Sequence, residues 1–183
     1  MSIIAKLKDT RALAFRDITY SKHVHLPTGL LGRPNISPPT IVIQDNIKLL
    51  AFTVDTDRVF YTWKVPDDYA GGNLDIVAHW TNDGGVDDLN KNVKAQIDYQ
   101  TYSDGDPVSG SHANSPKSID DTYLSAAGWI FHTTGAMTIA AADFNTKHEM
   151  TIKVSFITAL PTVLTCEPHL DSLMLTYTAY ANQ

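Results

Sequence analysis

The stretch WKVPDDYAGGNLDIVAHW, residues 63–80, determines the fold class that the sequence predicts. Its second half has one apolar face, formed by Leu74, Ile76, Ala78 and Trp80. Alternation with a period of two is typical of a β-strand that buries one side. Pro66 cannot donate a hydrogen bond to a strand ladder, and Gly71 and Gly72 tolerate the positive φ of a turn. We therefore predict a β-hairpin that joins a strand over 59–65 to a strand over 74–80.

The aromatic residues of this hairpin are the predicted anchors of the hydrophobic core. Trp63 and Trp80 are expected at corresponding ends of the two strands, and Tyr61 shares the buried face of the first strand. The paired Asp67 and Asp68 raise the alternative of a ligand set. Adjacent side chains diverge, however, and Asp is an ordinary turn residue, so a turn is the favoured interpretation.

The rest of the chain extends the β pattern. Eighteen of the 20 acidic residues are Asp and two are Glu, which suits turns better than helices. Further alternating or apolar runs cover residues 40–44, 47–54, 93–99, 121–140, 151–156 and 172–180. One polar and one apolar face per strand indicates antiparallel sheets packed over a core. The predicted fold is an all-β, antiparallel, jelly-roll-like β-sandwich of about eight strands over residues 39–183.

Residues 1–38 are predicted to be an extended N-terminal arm. This segment holds six basic and two acidic residues, a net charge of +4, whereas the remainder holds 8 and 18, a net charge of −10. The proline-rich stretch 27–40 would connect the arm to the body. A basic arm with apolar residues can dock on an acidic surface, including a second copy of the body. A solvated, disordered tail is the alternative.

Composition excludes several classes of function. The single cysteine, Cys166, cannot form an intrachain disulfide, and no apolar run is long enough for a membrane span or a signal peptide. The acidic body argues against nucleic-acid binding, which needs a basic face. We expect a protein made in the cytoplasm that engages neither membrane nor nucleic acid.

Two groups of residues could bind a metal ion. Asp83, Asp87, Asp88 and Asn90 lie close together in the loop 81–92 and offer the oxygen ligands that Ca²⁺ prefers. Their spacing differs from that of an EF-hand, and Asp-rich turns are common without metal. His23 and His25 would share one face of an extended segment, but zinc needs a third ligand, and none lies nearby in sequence. No cofactor is predicted.

Catalytic signatures are missing from the sequence. It contains no nucleophile elbow, phosphate-binding glycine loop or metalloprotease motif. The pair of Glu residues that many glycosidases use is nearly ruled out because the chain has two Glu, although Asp pairs remain open. We therefore predict a protein that is not an enzyme.

Three segments resemble a family of small β-proteins encoded among the virion genes of tailed bacteriophages. They are DTDRVFYTWKVPDDYAGGNLDIVAHWT (55–81), VKAQIDYQTYSDGD (93–106) and EPHLDSLMLTYTAY (167–180). The first carries the family's aromatic strand and P-D-D-Y-x-G-G turn, and the last is similar to its closing strand. The resemblance extends over about residues 48–180.

This resemblance implies a virion structural protein without catalysis. Together with the arm, it suggests a head decoration, or cement, protein on the capsid exterior, commonly a homotrimer, that clamps neighbouring copies of the major capsid protein. The arm would then contact the capsid or a neighbouring subunit through basic and apolar residues. These are Lys6, Lys8, Arg11, Leu13, Phe15, Arg16, Ile18 and Tyr20.

Two alternatives involve glycans. In the first, the chain is a host-recognition module of a tail fibre or baseplate. The loops 81–92 and 103–116 would then bind a surface glycan, with Tyr102 or Trp129 stacking on a sugar ring. In the second, it is a free carbohydrate-binding or enzyme-associated module, for which a secretion signal would be expected.

Overall fold

The computed structural model describes residues 18–107, 116–144, 149–157 and 164–181. Within these ranges it contains β-strands and three single-turn 3-10 helices, Thr28–Leu30, Gly85–Asp87 and Ala141–Asp143. No helix in the described ranges is long and apolar enough to cross a membrane. The strands are β1 (Thr19–Pro27), β2 (Thr40–Gln44), β3 (Ile47–Ala51), β4 (Val59–Lys64), β5 (Leu74–Thr81), β6 (Asn92–Tyr102), β7 (Lys117–Thr122), β8 (His132–Thr133), β9 (Met137–Ile139), β10 (Glu149–Ile157) and β11 (His169–Tyr180).

These strands form two antiparallel sheets. The large sheet has the order β2-β3-β11-β5-β8, with β1 also paired to β11 and β9 also paired to β5. The small sheet has the order β4-β10-β6-β7. Their apolar faces meet in one core that draws side chains from both sheets. The predicted all-β, jelly-roll-like sandwich is confirmed.

The predicted hairpin across residues 63–80 is wrong. β4 belongs to the small sheet, where it pairs with β10, whereas β5 belongs to the large sheet, where it pairs with β11. The connection 65–73 therefore crosses from one sheet to the other. Its turn chemistry is as expected, because Gly71 and Gly72 have φ values of 97° and 91°. Local sequence specified the turn but not which strands it would join.

Asp68 in this connection has a structural role. Its carboxylate accepts a hydrogen bond from Lys22 Nζ of β1 at 2.5 Å and another from the Tyr177 hydroxyl of β11 at 3.1 Å. The hydrogen bond from Lys22 holds the pKa of the Asp68 carboxyl below its usual value, and Asp68 in turn raises the pKa of Lys22. The crossing loop is thereby fastened to the large sheet.

Part of the predicted arm is a strand of the sandwich. β1 pairs with β11 along its whole length, from Thr19 opposite Tyr180 to Pro27 opposite Ser172. Leu26 is buried in the core, as is Leu31 just beyond the strand. The sandwich therefore begins well before residue 39. Residues 1–17 of the predicted arm lie outside the described residues.

The two predicted tryptophan anchors are buried at opposite ends of the core. Trp63 lies opposite Met150 at the start of β10 and packs edge-on against Phe144. Trp80 packs against Phe156 near the end of β10, and its indole N–H donates to Asp121 Oδ2 at 2.6 Å. Tyr61 is partly buried against the same core. The expectation that the two indoles lie at corresponding strand ends fails because the two strands belong to different sheets.

Candidate functional site

The predicted calcium loop is organised around one buried carboxylate. Asp88 has a fully buried side chain, whereas Asp83, Asp87 and Asn90 are exposed. Asp88 Oδ1 accepts hydrogen bonds from the backbone N–H and the hydroxyl of Thr165, both at 2.5 Å. Its Oδ2 accepts from Asn82 Nδ2 at 2.7 Å and from the Cys166 N–H at 3.1 Å.

Through these hydrogen bonds Asp88 joins the loop 82–91 to residues 165–166. Burial raises the pKa of the Asp88 carboxyl, but the hydrogen bonds from Thr165, Cys166 and Lys91 outweigh it, so the pKa lies below its usual value. Asp88 is buried whereas Asp83, Asp87 and Asn90 are exposed, and in the described loop 81–92 no three acidic side chains form a cluster at metal-binding distances. Calcium binding by this loop stays a prediction.

Residues 103–106, which begin the predicted contact loop 103–116, border an open cleft on the small sheet. The cleft has a volume of about 620 Å³. Two cross-strand rows on the solvent face of β4, β10 and β6 form its floor. The first row is Lys64, Glu149 and Tyr102; the second begins with Thr62 and Thr151. Alternation explains this placement, because the neighbouring residues of each strand point into the core.

The turn after β6 forms the wall of the cleft and comprises Ser103, Asp104, Gly105 and Asp106. Asp106 caps it, since its Oδ2 accepts a hydrogen bond from the Ser103 N–H at 2.7 Å. Gly105 has a φ of 85°, a conformation that other residues rarely adopt. The turn therefore has a defined shape beside the Tyr102 ring. The rest of the predicted loop, 108–115, lies outside the described residues.

The cleft combines one aromatic ring with hydroxyl groups and charged groups. Ser103, Thr62 and Thr151 supply the hydroxyls. Its charged residues are one base, Lys64, and three acids, Glu149, Asp104 and Asp106, so its formal net charge is 1 − 3 = −2. Glu149, Asp104 and Asp106 are all exposed. Of the cleft residues, Tyr102 and the following turn were predicted from the sequence. The positions on β4 and β10 were not predicted, although a polar residue at every second place marks them as the solvent face of each strand.

Trp129, the other predicted sugar-stacking residue, lies over the large sheet. Its ring stacks on His169 with centroids 5.0 Å apart, and burial lowers the pKa of His169. Trp129 has a φ of 64°, and its N–H donates to the Asn82 carbonyl at 2.6 Å. The cavity beside it measures about 80 Å³, too small for a sugar ring. One face of the indole is thus occupied by protein.

Of the predicted arm contacts, two lie within the described residues. Ile18 and Tyr20 are both exposed. The other six, Lys6, Lys8, Arg11, Leu13, Phe15 and Arg16, lie outside them. Neither Ile18 nor Tyr20 lines the cleft.

Comparisons with known proteins give likenesses of structure but not of sequence. No protein-family model matches the chain, and no curated protein matches it. A family 35 carbohydrate-binding module from an environmental isolate has a TM-score of 0.49 at 11% identity, covering 86% of this chain and 97% of its own. The CBM35 from Cellvibrio japonicus Abf62 has a TM-score of 0.47 at 14% identity, with coverages of 87% and 98%. A family 6 carbohydrate-binding module has a TM-score of 0.46 at 13% identity, with coverages of 84% and 93%. Likenesses of this degree carry no information on what this chain binds.

Proposed function

We propose that this chain is a non-catalytic glycan-binding module that holds a neutral oligosaccharide in the cleft of the small sheet. The observation that carries the proposal is the first row of the cleft, where the Tyr102 ring lies in register with Glu149 and Lys64. A sugar presents an apolar C–H face and a rim of hydroxyl groups. An aromatic ring beside charged hydrogen-bonding groups complements both.

The size and openness of the cleft support this class of ligand. About 620 Å³ lies within the usual range for small-molecule sites and accommodates a few sugar rings. Carboxylates such as Glu149 can accept two hydrogen bonds from neighbouring sugar hydroxyls, and the Thr62 and Thr151 hydroxyls can donate or accept. A floor of paired strands holds these groups at fixed spacing, which limits the entropy lost on binding.

The charge of the cleft favours neutral sugars. A formal net charge of −2 repels phosphate, sulfate and uronate groups at close range. For the same reason the cleft is a poor site for the backbone of a nucleic acid. Lys64 can still donate hydrogen bonds to a ring oxygen or hydroxyl, since it has three donors.

The exposure of the carboxylates favours binding over hydrolysis. A glycosidase general acid is a carboxyl whose surroundings keep it protonated near neutral pH, and burial is the usual means. Glu149 and Asp104 are both exposed to solvent. Asp106 is exposed as well and already accepts a hydrogen bond within its own turn.

Isothermal titration with a panel of neutral hexasaccharides (glucan, mannan, xylan and galactan) tests the proposal. Saturable binding by the full chain is expected for at least one member, with at least tenfold weaker binding by Tyr102→Ala. Tyr20→Ala is the matched control, because Tyr20 is also a strand tyrosine that solvent can reach but lies on the large sheet. Absence of binding to the whole panel, or equal losses in both variants, would contradict the proposal. Including a bacterial surface polysaccharide tests the narrower role of host recognition on a phage tail fibre or baseplate.

A second candidate function is decoration of a phage capsid as a homotrimer bound to the major capsid protein. The observation in its favour is the strand β2, which lies at the edge of the large sheet and exposes Ile41 and Ile43. Exposed apolar side chains on an edge strand commonly mark a contact with another chain. Co-sedimentation with undecorated phage heads tests this role. Saturable binding that Ile43→Lys abolishes would support it, and a chain that stays in the supernatant would contradict it.

A further inference from the structure

Three potential metal ligands converge on the solvent face of the large sheet. They are His25 of β1, His79 of β5 and Asp171 of β11, and their ligand atoms all lie within 4.8 Å of one another. The two imidazole rings are 6.3 Å apart between centroids. His25 is exposed, and the other two are half-buried. This cluster shares no residue with the cleft, which lies on the other sheet.

The pairing of β11 with both neighbours brings the three residues together. β1 and β5 flank β11, with His25 opposite Met174 and His79 opposite Ser172. The ladder between β11 and β5 is irregular between Leu170 and Ser172, so Asp171 has no direct partner on β5. A bulge of this kind re-aims the side chain of the extra residue. It places the Asp171 carboxylate beside the two imidazoles.

Ser172 orients two of the three ligands. Its buried hydroxyl donates to Asp171 Oδ2 at 2.8 Å and lies 3.4 Å from His79 Nδ1. A hydroxyl that donates to the carboxylate can accept a hydrogen bond from His79 Nδ1–H. That tautomer leaves the Nε2 lone pair of His79 free for a metal ion. Hydrogen bonds of this type commonly fix the ring and tautomer of metal-binding histidines.

The donor set selects the class of ion. Two imidazoles and one carboxylate suit Zn²⁺ and neighbouring transition metals, whereas Ca²⁺ and Mg²⁺ prefer oxygen ligands alone. Ligands at zinc bond lengths of about 2.0–2.2 Å lie about 3.4 Å apart in a tetrahedron. Metal binding would therefore draw the ligand atoms closer than their present separations of up to 4.8 Å, and the exposed position of His25 leaves room for that side chain to rotate. Water can complete the coordination on the solvent side.

We propose that His25, His79 and Asp171 form a binding site for a divalent transition-metal ion of the zinc class. The ion would join β1, β11 and β5 on one face of the sheet. His23 is not part of the ligand set, because it lies opposite Thr176, two residues beyond the partner of His25, and its nitrogens do not belong to the cluster of ligand atoms. The proposal does not depend on glycan binding.

Calorimetric titration of the tag-free full chain with Zn²⁺ at pH 7.5 tests this site. Binding of one equivalent is expected, with at least tenfold weaker binding by His79→Gln and by Asp171→Asn. Ser172→Ala retains all three ligands and should weaken binding about 10- to 100-fold through the lost orientation. His23→Gln is the matched control, since it removes an exposed histidine from the same face of the same strand.

Co²⁺ supplies a second readout, because a tetrahedral site gives intense visible absorption that an octahedral hydrated ion lacks. The proposal predicts this absorption in the wild-type chain and in His23→Gln, and its loss in His79→Gln. No Zn²⁺ binding below 100 µM in the wild-type chain would overturn the proposal. So would a loss in His23→Gln equal to that in His79→Gln, which would indicate adventitious binding by surface histidines.

Discussion

Replacing Asp88 with Asn should destabilise the protein strongly. Both carboxylate oxygens of Asp88 accept hydrogen bonds, and every partner is a donor. Thr165 donates to Oδ1, and Asn82 and Cys166 donate to Oδ2. An amide keeps one acceptor and presents an N–H₂ group to the donors on the other side. Two hydrogen bonds to a charged acceptor are then lost in a buried site. At about 1.5–3 kcal/mol each, this loss gives about 3–6 kcal/mol.

Urea denaturation followed by far-UV circular dichroism measures this effect. Asp87→Asn is the matched control, because it makes the same chemical change one residue away on an exposed side chain. We expect the control to lie within about 0.5 kcal/mol of the wild-type free energy of unfolding. The slope m should be the same for all three proteins, since all bury the same surface.

The pH dependence of the same variant gives a further check. Because the folded-state pKa of Asp88 lies below its ordinary value of 3.8, the carboxylate contributes stability above that pH. This contribution is lost as the pH falls through the folded-state pKa. The difference between wild type and Asp88→Asn should therefore shrink in acid. The structural role of the Asp88 carboxylate would be refuted if the two free energies of unfolding differed by less than about 1 kcal/mol at pH 7. A difference that stays the same in acid would refute it as well.

Three further predictions concern other parts of the sandwich. Asp68→Asn removes the charged partner of Lys22 and should speed amide hydrogen exchange in β1, with unchanged rates in β6 as the control. Trp80→Phe loses the indole bond to Asp121 and some core volume, and should cost about 2–4 kcal/mol in urea denaturation. Burial lowers the pKa of His169 below 6.5. As the pH falls, the imidazole is therefore protonated in the unfolded chain at a higher pH than in the folded chain. Stability should accordingly fall by up to about 1.4 kcal/mol per pH unit below pH 6.5, and His169→Gln should remove that part of the slope.

The sequence predicted most strands because each buries one face. The alternation in β4, β5, β6, β10 and β11 follows directly from this constraint. The assignment of β4 and β5 to different sheets could not be predicted, because a strand's own pattern is the same whichever neighbour it pairs with. The excess of basic residues in 1–38 favours an arm, and the charged Lys22 interrupts the alternation of Val24 and Leu26 that would indicate the strand β1.

In the candidate sites, too, the sequence does not reveal which residues tertiary structure brings together. Tyr102 and the turn after it were identified because they adjoin a long polar loop. Glu149 and Thr151 were missed because sheet pairing, rather than sequence proximity, brings them to that turn. Asp88 and Asp87 are chemically identical neighbours, and only the tertiary contact with Thr165 distinguishes the buried one from the exposed one.

An NMR map of glycan binding on the ¹⁵N-labelled full chain tests most directly whether the cleft of the small sheet holds the sugar. The hexasaccharide that binds most tightly in the titration panel would be the probe. If the cleft binds the sugar, amide shift changes should be confined to residues 62–64, 102–106 and 149–151 on the small sheet. Changes centred instead on Trp129 and Phe131 over the large sheet, or no changes at saturating sugar, would contradict it.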